Sequence, residues 1–392
     1  MIGCAADNTS PERQITPGEV AQDDSHTGDQ YRQLSIRNKD PILFPTELEA
    51  PEQDDSNNDS SIEKPEKVDV KGIYLNPVSL REDKIDQFID YVKATKLNAV
   101  VMDIKDDYGK LTYDSNIDMV NELGSDSNPP IKDLKAFIKR LKDEGIYTIG
   151  RIVVFKDPYL IEKRPEYAIK RNDGSIWKNG AGTPWIDPYK QDAWGYITNI
   201  SKEIADSGID EIQYDYIRFP ENAKKVNLEV TYDNPENIDK QVVIQNFLKF
   251  SSEQLKDKPV YVSADVFGLV TSSNDDMGIG QNWESLSPYL DYISPMTYPS
   301  HYAPNTYGIG NPDAEPYELM KNAMQDAVTK NEKLKQNGED PAIIRPWIQD
   351  FDYKRAYSVT DVKNQMKALE EQGVTQYLIW NAQNVYTKEA VN

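Results

Sequence analysis

Asp210-Glu-Ile-Gln-Tyr-Asp-Tyr-Ile-Arg-Phe-Pro220 reads as a buried β-strand that ends in a carboxylate, a guanidinium and a proline that stops it. Side chains alternate at period two, so Glu211, Gln213 and Asp215 share one face and Ile212, Tyr214 and Tyr216 the other. A face of acids and amides is costly against an apolar core and suits the lining of a polar cavity. Asp215 falls near the carboxyl end of this strand, where a parallel α/β barrel gathers its reactive side chains. An Asp215–Arg218 pair that merely fastens a loop is the competing reading of the stretch taken alone.

Working outward, short β-rich runs alternate with amphipathic ones from Val70 onward. The predicted strands are 71–75, 99–104, 147–155, the stretch around Asp215, 260–267, 292–298, 343–349 and 376–381. Helical spacing predicts helices over 85–94, 131–142, 191–205, 238–255, 317–328 and 362–371. Eight strand candidates separated by helices over roughly 315 residues fit an α/β fold, a (β/α)8 TIM barrel with some long loops. A doubly wound open sheet would want a glycine-rich phosphate loop after an early strand, and none is present.

The chain has 392 residues, with 66 Asp and Glu against 44 Lys and Arg, a formal net charge of -22. That balance excludes nucleic acid and anionic lipid head groups as expected partners, since both need clustered positive charge. Residues 1–67 read as a disordered acidic tether, because Gln53-Asp-Asp-Ser-Asn-Asn-Asp-Ser-Ser61 and its surroundings cannot bury enough apolar surface to order themselves. Residues 68–392 form the expected barrel. The single cysteine, Cys4 in Met-Ile-Gly-Cys-Ala, rules out an internal disulfide. Its setting resembles the processing box of bacterial lipoproteins, whose apolar leader would lie upstream of Met1. The expected location is then the extracellular face of a bacterial cell membrane, held only by that lipid, or else secreted; a chance cysteine in a cytoplasmic tail is the other reading.

At the predicted strand ends stand Asn76, then Asp103 with Lys105 and Asp106, residues 151–156, Asp215 with Arg218, Asp265, Tyr298 with His301, Gln349 with Asp350, and Trp380 with Asn381. Polar residues recurring at so many ends of one barrel suggest a binding cavity. Asp103-Ile-Lys-Asp-Asp-Tyr-Gly, Ile149-Gly-Arg-Ile-Val-Val-Phe-Lys-Asp157, the stretch from Asp210 to Pro220, Ser263-Ala-Asp-Val-Phe-Gly268, Ser294-Pro-Met-Thr-Tyr-Pro-Ser-His-Tyr302 and Ile344-Arg-Pro-Trp-Ile-Gln-Asp-Phe351 together resemble a bacterial family of glycosyl-hydrolase-like barrels. The resemblance runs from about Lys71 to Tyr386 and implies a TIM barrel with a sugar-active site, leaving the substrate open. More distantly, the Asp at the end of strand four resembles the nucleophile position of amylase-type barrels. Those usually carry a Glu at the end of strand five, where this chain has Asp265.

Glycoside hydrolysis needs two carboxyl groups in different protonation states. Neighbouring strands lie ~4.8 Å apart, close to the ~5–5.5 Å carboxyl separation of retaining enzymes. The expected pair is Asp215 as nucleophile and Asp265 as acid/base, with Asp103 the rival for the acid. Asp103, Lys105, Arg218, Tyr298, His301, Trp347, Asp350, Trp380 and Asn381 are the expected substrate-binding residues, with Trp347, Trp380 and Tyr298 offering faces to sugar rings. The substrate expected is a bacterial surface or extracellular polysaccharide, and the protein a monomer. A non-catalytic, surface-anchored glycan-binding barrel is the alternative. His26 and His301 are the only histidines, too few for histidine metal clusters, and no cofactor or metal is expected; a cation at Asn274, Asp275 and Asp276 competes with a plain solvated loop. If the lipoprotein reading of Cys4 holds, protein expressed with its native upstream region fractionates with membranes and Cys4→Ala moves it to the soluble or secreted fraction. Identical cytosolic fractionation of both forms would sink the idea.

Overall fold

The computed structural model describes residues 63–392. Cys4, and the acidic tether up to residue 62, lie outside the described residues. The predicted β-rich runs become parallel strands: β1 Lys71–Leu75, β2 Ala99–Lys105, β3 Tyr147–Val153, β4 Glu211–Asp215, β5 Tyr261–Phe267, β6 Tyr292–Met296, β7 in two pieces, Ile343–Ile344 and Trp347–Gln349, and β8 Tyr377–Trp380. Each pairs with the next, and β8 returns to β1 through Lys71↔Tyr377, Gly72↔Leu378 and Ile73↔Ile379, closing a (β/α)8 TIM barrel. The split in β7 falls at Arg345 and Pro346, where the proline has no N–H to give to the ladder. Strands predicted over 147–155 and 292–298 end earlier, because their last residues already turn into loops at the mouth of the barrel.

Between the strands run α1 Ile85–Lys93, α2 Leu134–Asp143, α3 Gln191–Asp206, α4 Lys240–Leu255, the short α5 Trp283–Leu286, α6 Pro316–Gln336 and α7 Val359–Glu371. Their apolar stripes face the sheet; in α1 these are Ile85, Phe88, Ile89 and Val92. Asp133 caps α2 through the N–H of Ala136, and Ser358 and Asp361 form a reciprocal capping box on α7. Helix α6 runs eight residues past the predicted end at 328, its polar surface being compatible with either ending.

The inside of the barrel is filled with side chains in layers rather than open. Near its amino end Glu211 of β4 meets Arg345 of β7 in a two-pronged ion pair with neither side chain exposed. The Ser263 hydroxyl and the Tyr147 hydroxyl also donate to Glu211. Above it, Gln213 donates weakly to Ser294 Oγ at 3.4 Å. Thus only Asp215, of the three polar residues expected to line a cavity, reaches the mouth; Glu211 is satisfied within the packed interior, and Gln213 is buried there with its Oε1 unpartnered.

Residues leading into β1 close the other end. Val68 and Val70 pack with the interior cluster, the Tyr261 hydroxyl donates to the Pro65 carbonyl at 2.8 Å, and Lys64 pairs with Asp291 at 3.0 Å. Contacts with the barrel therefore begin a few residues ahead of residue 68. A fragment beginning at residue 63 should fold and melt cooperatively, whereas one beginning after Leu80 lacks β1, exposes two unpaired edges and should aggregate. A soluble, cooperatively melting fragment from residue 81 onward would contradict closure.

Candidate active site

The last residue of β4 delivers Asp215 into the mouth, and the chain then breaks its alternation. Tyr216 sits in the left-handed region at φ 53°, unusual for an aromatic residue and a mark of local strain, while its N–H donates to Asp215 Oδ1 at 2.6 Å. Arg151, only 2% exposed, comes from β3 opposite Gln213, two residues below the level of Asp215, and reaches up to it. Its Nε and Nη2 donate to Asp215 Oδ2 at 2.9 and 2.6 Å, and its Nη1 to Asp103 Oδ1 at 2.6 Å. Nη1 and Nη2 also reach Asp107 Oδ2 at 3.2 and 3.1 Å. One guanidinium thus gathers three carboxylates from three successive segments, using its fork as no lysine could.

Asp107 arrives by a tight turn. Asp106 Oδ1 accepts from the N–H groups of Tyr108 and Lys110, and Gly109 at φ 81° lies where any Cβ would strike Asp157. Lys156, from the loop after β3, donates to Asp107 Oδ1 at 2.8 Å and to the Tyr216 hydroxyl at 3.2 Å. Burial alone would raise the Asp107 carboxyl, yet Arg151 and Lys156 hold it well below the usual carboxylate range. Asp103 is different: burial pushes it up to about 6 against the pull of Arg151, while the Tyr74 hydroxyl donates to its other oxygen at 2.6 Å.

Asp265 comes from β5. Gln213↔Ser263 and Tyr214↔Ala264 are paired, so Asp215 and Asp265 are the next register step on adjacent strands, both turned inward. Asp265 is 1% exposed and takes a hydrogen bond from the Trp347 indole N–H at 2.7 Å. Burial first, and the neighbouring Asp215 charge second, push its carboxyl well above the ordinary value. The two carboxyls thus have opposite settings: Asp215 held by a guanidinium, Asp265 dry and facing an indole.

Aromatic rings line the remaining wall. Trp380 stacks on Tyr74 at 4.2 Å between centroids, Tyr298 lies 6.5 Å from Trp380, and Arg151 sits over the Tyr74 and Trp380 rings at 5.9 and 5.7 Å. Trp380 is half-buried and Tyr298 mostly buried, its hydroxyl driven well above its usual range by burial and by Asp265. His301 is exposed at the rim, its Nδ1 2.9 Å from the Ser300 hydroxyl.

Several expected site residues stand elsewhere. Lys105 is fully buried and pairs with Asp157 at 2.8 Å, because a bulge between Asp103 and Lys105 breaks the period-two alternation and turns its side chain off the Asp103 face. Arg218 is not the partner of Asp215: past Tyr216 the chain has turned, and Arg218 pairs with Glu221 at 2.8 Å while lying over the Phe267 ring at 4.4 Å. Trp347 is 1% exposed and serves Asp265 rather than offering a face to a sugar. Asp350 accepts from the N–H and hydroxyl of Thr387, both at 2.7 Å, and Asn381 donates to the Asp350 and Val385 carbonyls, so both fasten the loop after β8. Asp275 and Asp276 bond the backbone of their own loop at Met277, Gly278 and Gly280. Asp107 and Tyr74 were given no role by sequence, and Arg151 and Lys156 entered only as the bounds of a strand-end stretch. The signal was available for Arg151: a charged residue in the otherwise apolar Tyr147–Val153 has no solvent to reach and needs carboxylate partners.

A closed parallel barrel with acidic side chains converging at its carboxyl mouth defines a glycoside-hydrolase-type barrel. The chain belongs to the family described as "Putative glycosyl hydrolase domain", whose model matches residues 72–386. It is 36% identical to a hypothetical protein from Ruminiclostridium thermocellum ATCC 27405, over 53% of this chain and 98% of that one, with a TM-score of 0.45. It is similar in fold to the PgaB (BpsB) glycoside hydrolase domain from Bordetella bronchiseptica, at 14% identity and TM-score 0.53, covering 80% of this chain and 94% of that one. The Flavobacterium johnsoniae GH31 dextranase complexed with glucose matches at 10% identity and TM-score 0.52, over 83% of this chain and 37% of its own. No curated protein matches the sequence.

Arg151→Met leaves Asp103, Asp107 and Asp215 converging without their guanidinium and should cost about 3–5 kcal/mol at neutral pH. Stranded carboxylates keep protons in the folded state that the unfolded chain releases above about pH 4. Folding then takes up protons, so the variant's deficit grows as pH rises and shrinks as pH falls. Thermal melts of both proteins from pH 8 to pH 5 should show the gap narrowing; a constant gap would mean that Arg151 acts through packing alone.

Proposed function

We infer that the protein is a retaining glycoside hydrolase in which Asp215 is the nucleophile and Asp265 the acid/base. The observation that carries this reading is the pair itself: two inward carboxyls at one register level on adjacent strands, in opposite electrostatic settings. Strand spacing of ~4.8 Å suits the ~5–5.5 Å separation of the retaining mechanism. Asp265, kept protonated by burial and by its neighbour, would give its proton to the glycosidic oxygen. Asp215 Oδ2 is occupied by Arg151, and Oδ1 carries a single backbone contact, which leaves lone-pair capacity for attack on the anomeric carbon. The leaving alcohol departs with the Asp265 proton and a glycosyl ester forms on Asp215. Asp265, now a carboxylate, takes a proton from water, and the resulting hydroxide displaces Asp215 from the sugar. Arg151 and the Trp347 indole position the two carboxyls. Asp103 shares Arg151 with Asp215, and both its oxygens are engaged, which favours Asp265 as the acid. If Cys4 carries a lipid, the substrate is a polysaccharide at the bacterial surface or beyond it.

A screen of the 63–392 fragment against bacterial cell-wall and exopolysaccharide glycans, read by release of reducing ends, separates hydrolase from glycan-binding protein. On a cleaved substrate Asp215→Asn should abolish turnover with binding retained. Asp265→Asn should lose roughly 10²–10⁴-fold on natural substrates, and less on aryl glycosides whose leaving groups need no proton. Azide should restore turnover to the Asp265 variant by attacking the glycosyl ester. Wild-type activity in Asp215→Asn refutes the assignment, and loss of activity only in an Asp103→Asn variant transfers the acid role to Asp103.

A further inference from the structure

Exposed large apolar side chains are not spread evenly over this molecule. Among the described residues, Val78, Tyr108, Leu228, Leu269, Tyr353 and Val385 all lie in segments that leave the carboxyl ends of strands, and only Ile343 lies elsewhere. Singly exposed apolar side chains need no explanation, so the weight falls on those that are in contact with one another. From one of these, Tyr353, a continuous line of aromatic side chains runs inward, through exposed His301 and half-buried Phe351 and Trp380 to buried Tyr298 and Tyr74. Tyr353, 44% exposed, stacks on His301 at 5.3 Å and 28° between planes. His301 lies 5.6 Å from Tyr298 and 5.8 Å from Phe351, which are themselves 5.7 Å apart. Tyr298 leads at 6.5 Å to Trp380, and Trp380 to Tyr74 at 4.2 Å. The line ends on the partners of the acids: Tyr74 donates to Asp103, and Trp347, edge-on to Trp380 at 5.5 Å, donates to Asp265.

The outer end is built to hold its place. Arg355 binds the Asp313 carbonyl and both oxygens of Asp361, and Asp352 accepts from the Tyr357 N–H at 2.7 Å, so the loop that carries Tyr353 is stapled at several points. A ring held exposed on a fixed loop gives little to folding and much to a ligand, since its ordering cost is already met.

We propose that this aromatic line is a track of subsites for successive units of a polysaccharide, entering over the loops that follow β6 and β7, and that the protein therefore works on chains rather than on short ends. The proposal rests on the hydrolase reading only for the position of the reacting bond. The accessible rings of the line, Tyr353, Phe351 and Trp380, are the ones that would take the C–H faces of pyranose units, with Tyr298 and Tyr74 buried as their support.

Calorimetry on the catalytically blocked Asp215→Asn protein tests it, with cellohexaose, chitohexaose, maltohexaose and the three corresponding disaccharides as probes. One hexasaccharide should bind at least tenfold more tightly than its disaccharide. Adding Tyr353→Ala should lower that affinity roughly fivefold to tenfold and leave the disaccharide unaffected, while Tyr353→Phe keeps it. Melting temperatures of the Tyr353 variants confirm that the fold is intact. The proposal is overturned if no hexasaccharide gains over its disaccharide, or if Tyr353→Ala leaves the hexasaccharide affinity unchanged. Tyr353-dependent binding of a hexasaccharide that wild-type protein leaves uncut would uphold the track and refute hydrolysis. Cleavage with Tyr353-independent affinity would refute the track alone.

Discussion

The convergence of Asp103, Asp107 and Asp215 on the Arg151 guanidinium governs the mouth of this barrel. Carboxylates brought together in a dry site repel one another and resist ionisation, and neither burial nor hydrogen bonds to hydroxyls remove that conflict. A single delocalised cation at the centre does. Because its donors form a rigid fork, it also fixes where each acid points. The turn at Asp106–Gly109, the bulge in β2 and the left-handed Tyr216 can all be understood as backbone adjustments around that cation.

Asp265 lies just outside this arrangement and is defined by the contrast. It is on the next strand from Asp215 and at the same height, yet its hydrogen-bond donor is an indole with no formal charge. Two groups of one chemical type thereby sit in different surroundings, and burial pushes the Asp265 carboxyl well above its ordinary value. Trp347, which provides the indole, opens the second piece of β7, and that piece keeps the register of the first against β6 across the break at Pro346.

The barrel was legible in the sequence because parallel strands buried on both faces are short, β-rich and regularly spaced, and the amphipathic helices between them show a clear apolar stripe. That Asp215 and Asp265 are inward acids near the carboxyl ends of neighbouring strands was also legible, because Asp215 ends one strand and Asp265 stands two residues before the end of the next. What failed was alternation beyond a strand's regular part. Lys105 was expected to bind substrate beside Asp103, but the intervening bulge turns it away; the competing Asp215–Arg218 pair does not form, because Tyr216 turns the chain first. Loop-borne partners such as Asp107 and Lys156 have no periodicity to betray them. Trp347, Asp350 and Asn381 were correctly placed near strand ends, yet whether a polar or aromatic side chain faces a ligand or braces its own loop depends on coordinates that pattern does not encode. Glu211 and Gln213 were read as cavity lining because their partners, Arg345 and Ser294, come from strands far along the chain.

That last pairing has a consequence for how the domain is acquired. Glu211 and Arg345 are 134 positions apart, and both are fully buried. A chain emerging during synthesis holds Glu211 on the inner side of β4 long before β7 exists to answer it. An incomplete sheet must therefore leave that carboxylate hydrated or protonated, and cannot close its interior around it without a penalty of several kcal/mol. Half-barrels of this sequence are thus disfavoured as resting states. Closure of the interior around Glu211 is therefore favoured only once the chain has been made as far as Arg345.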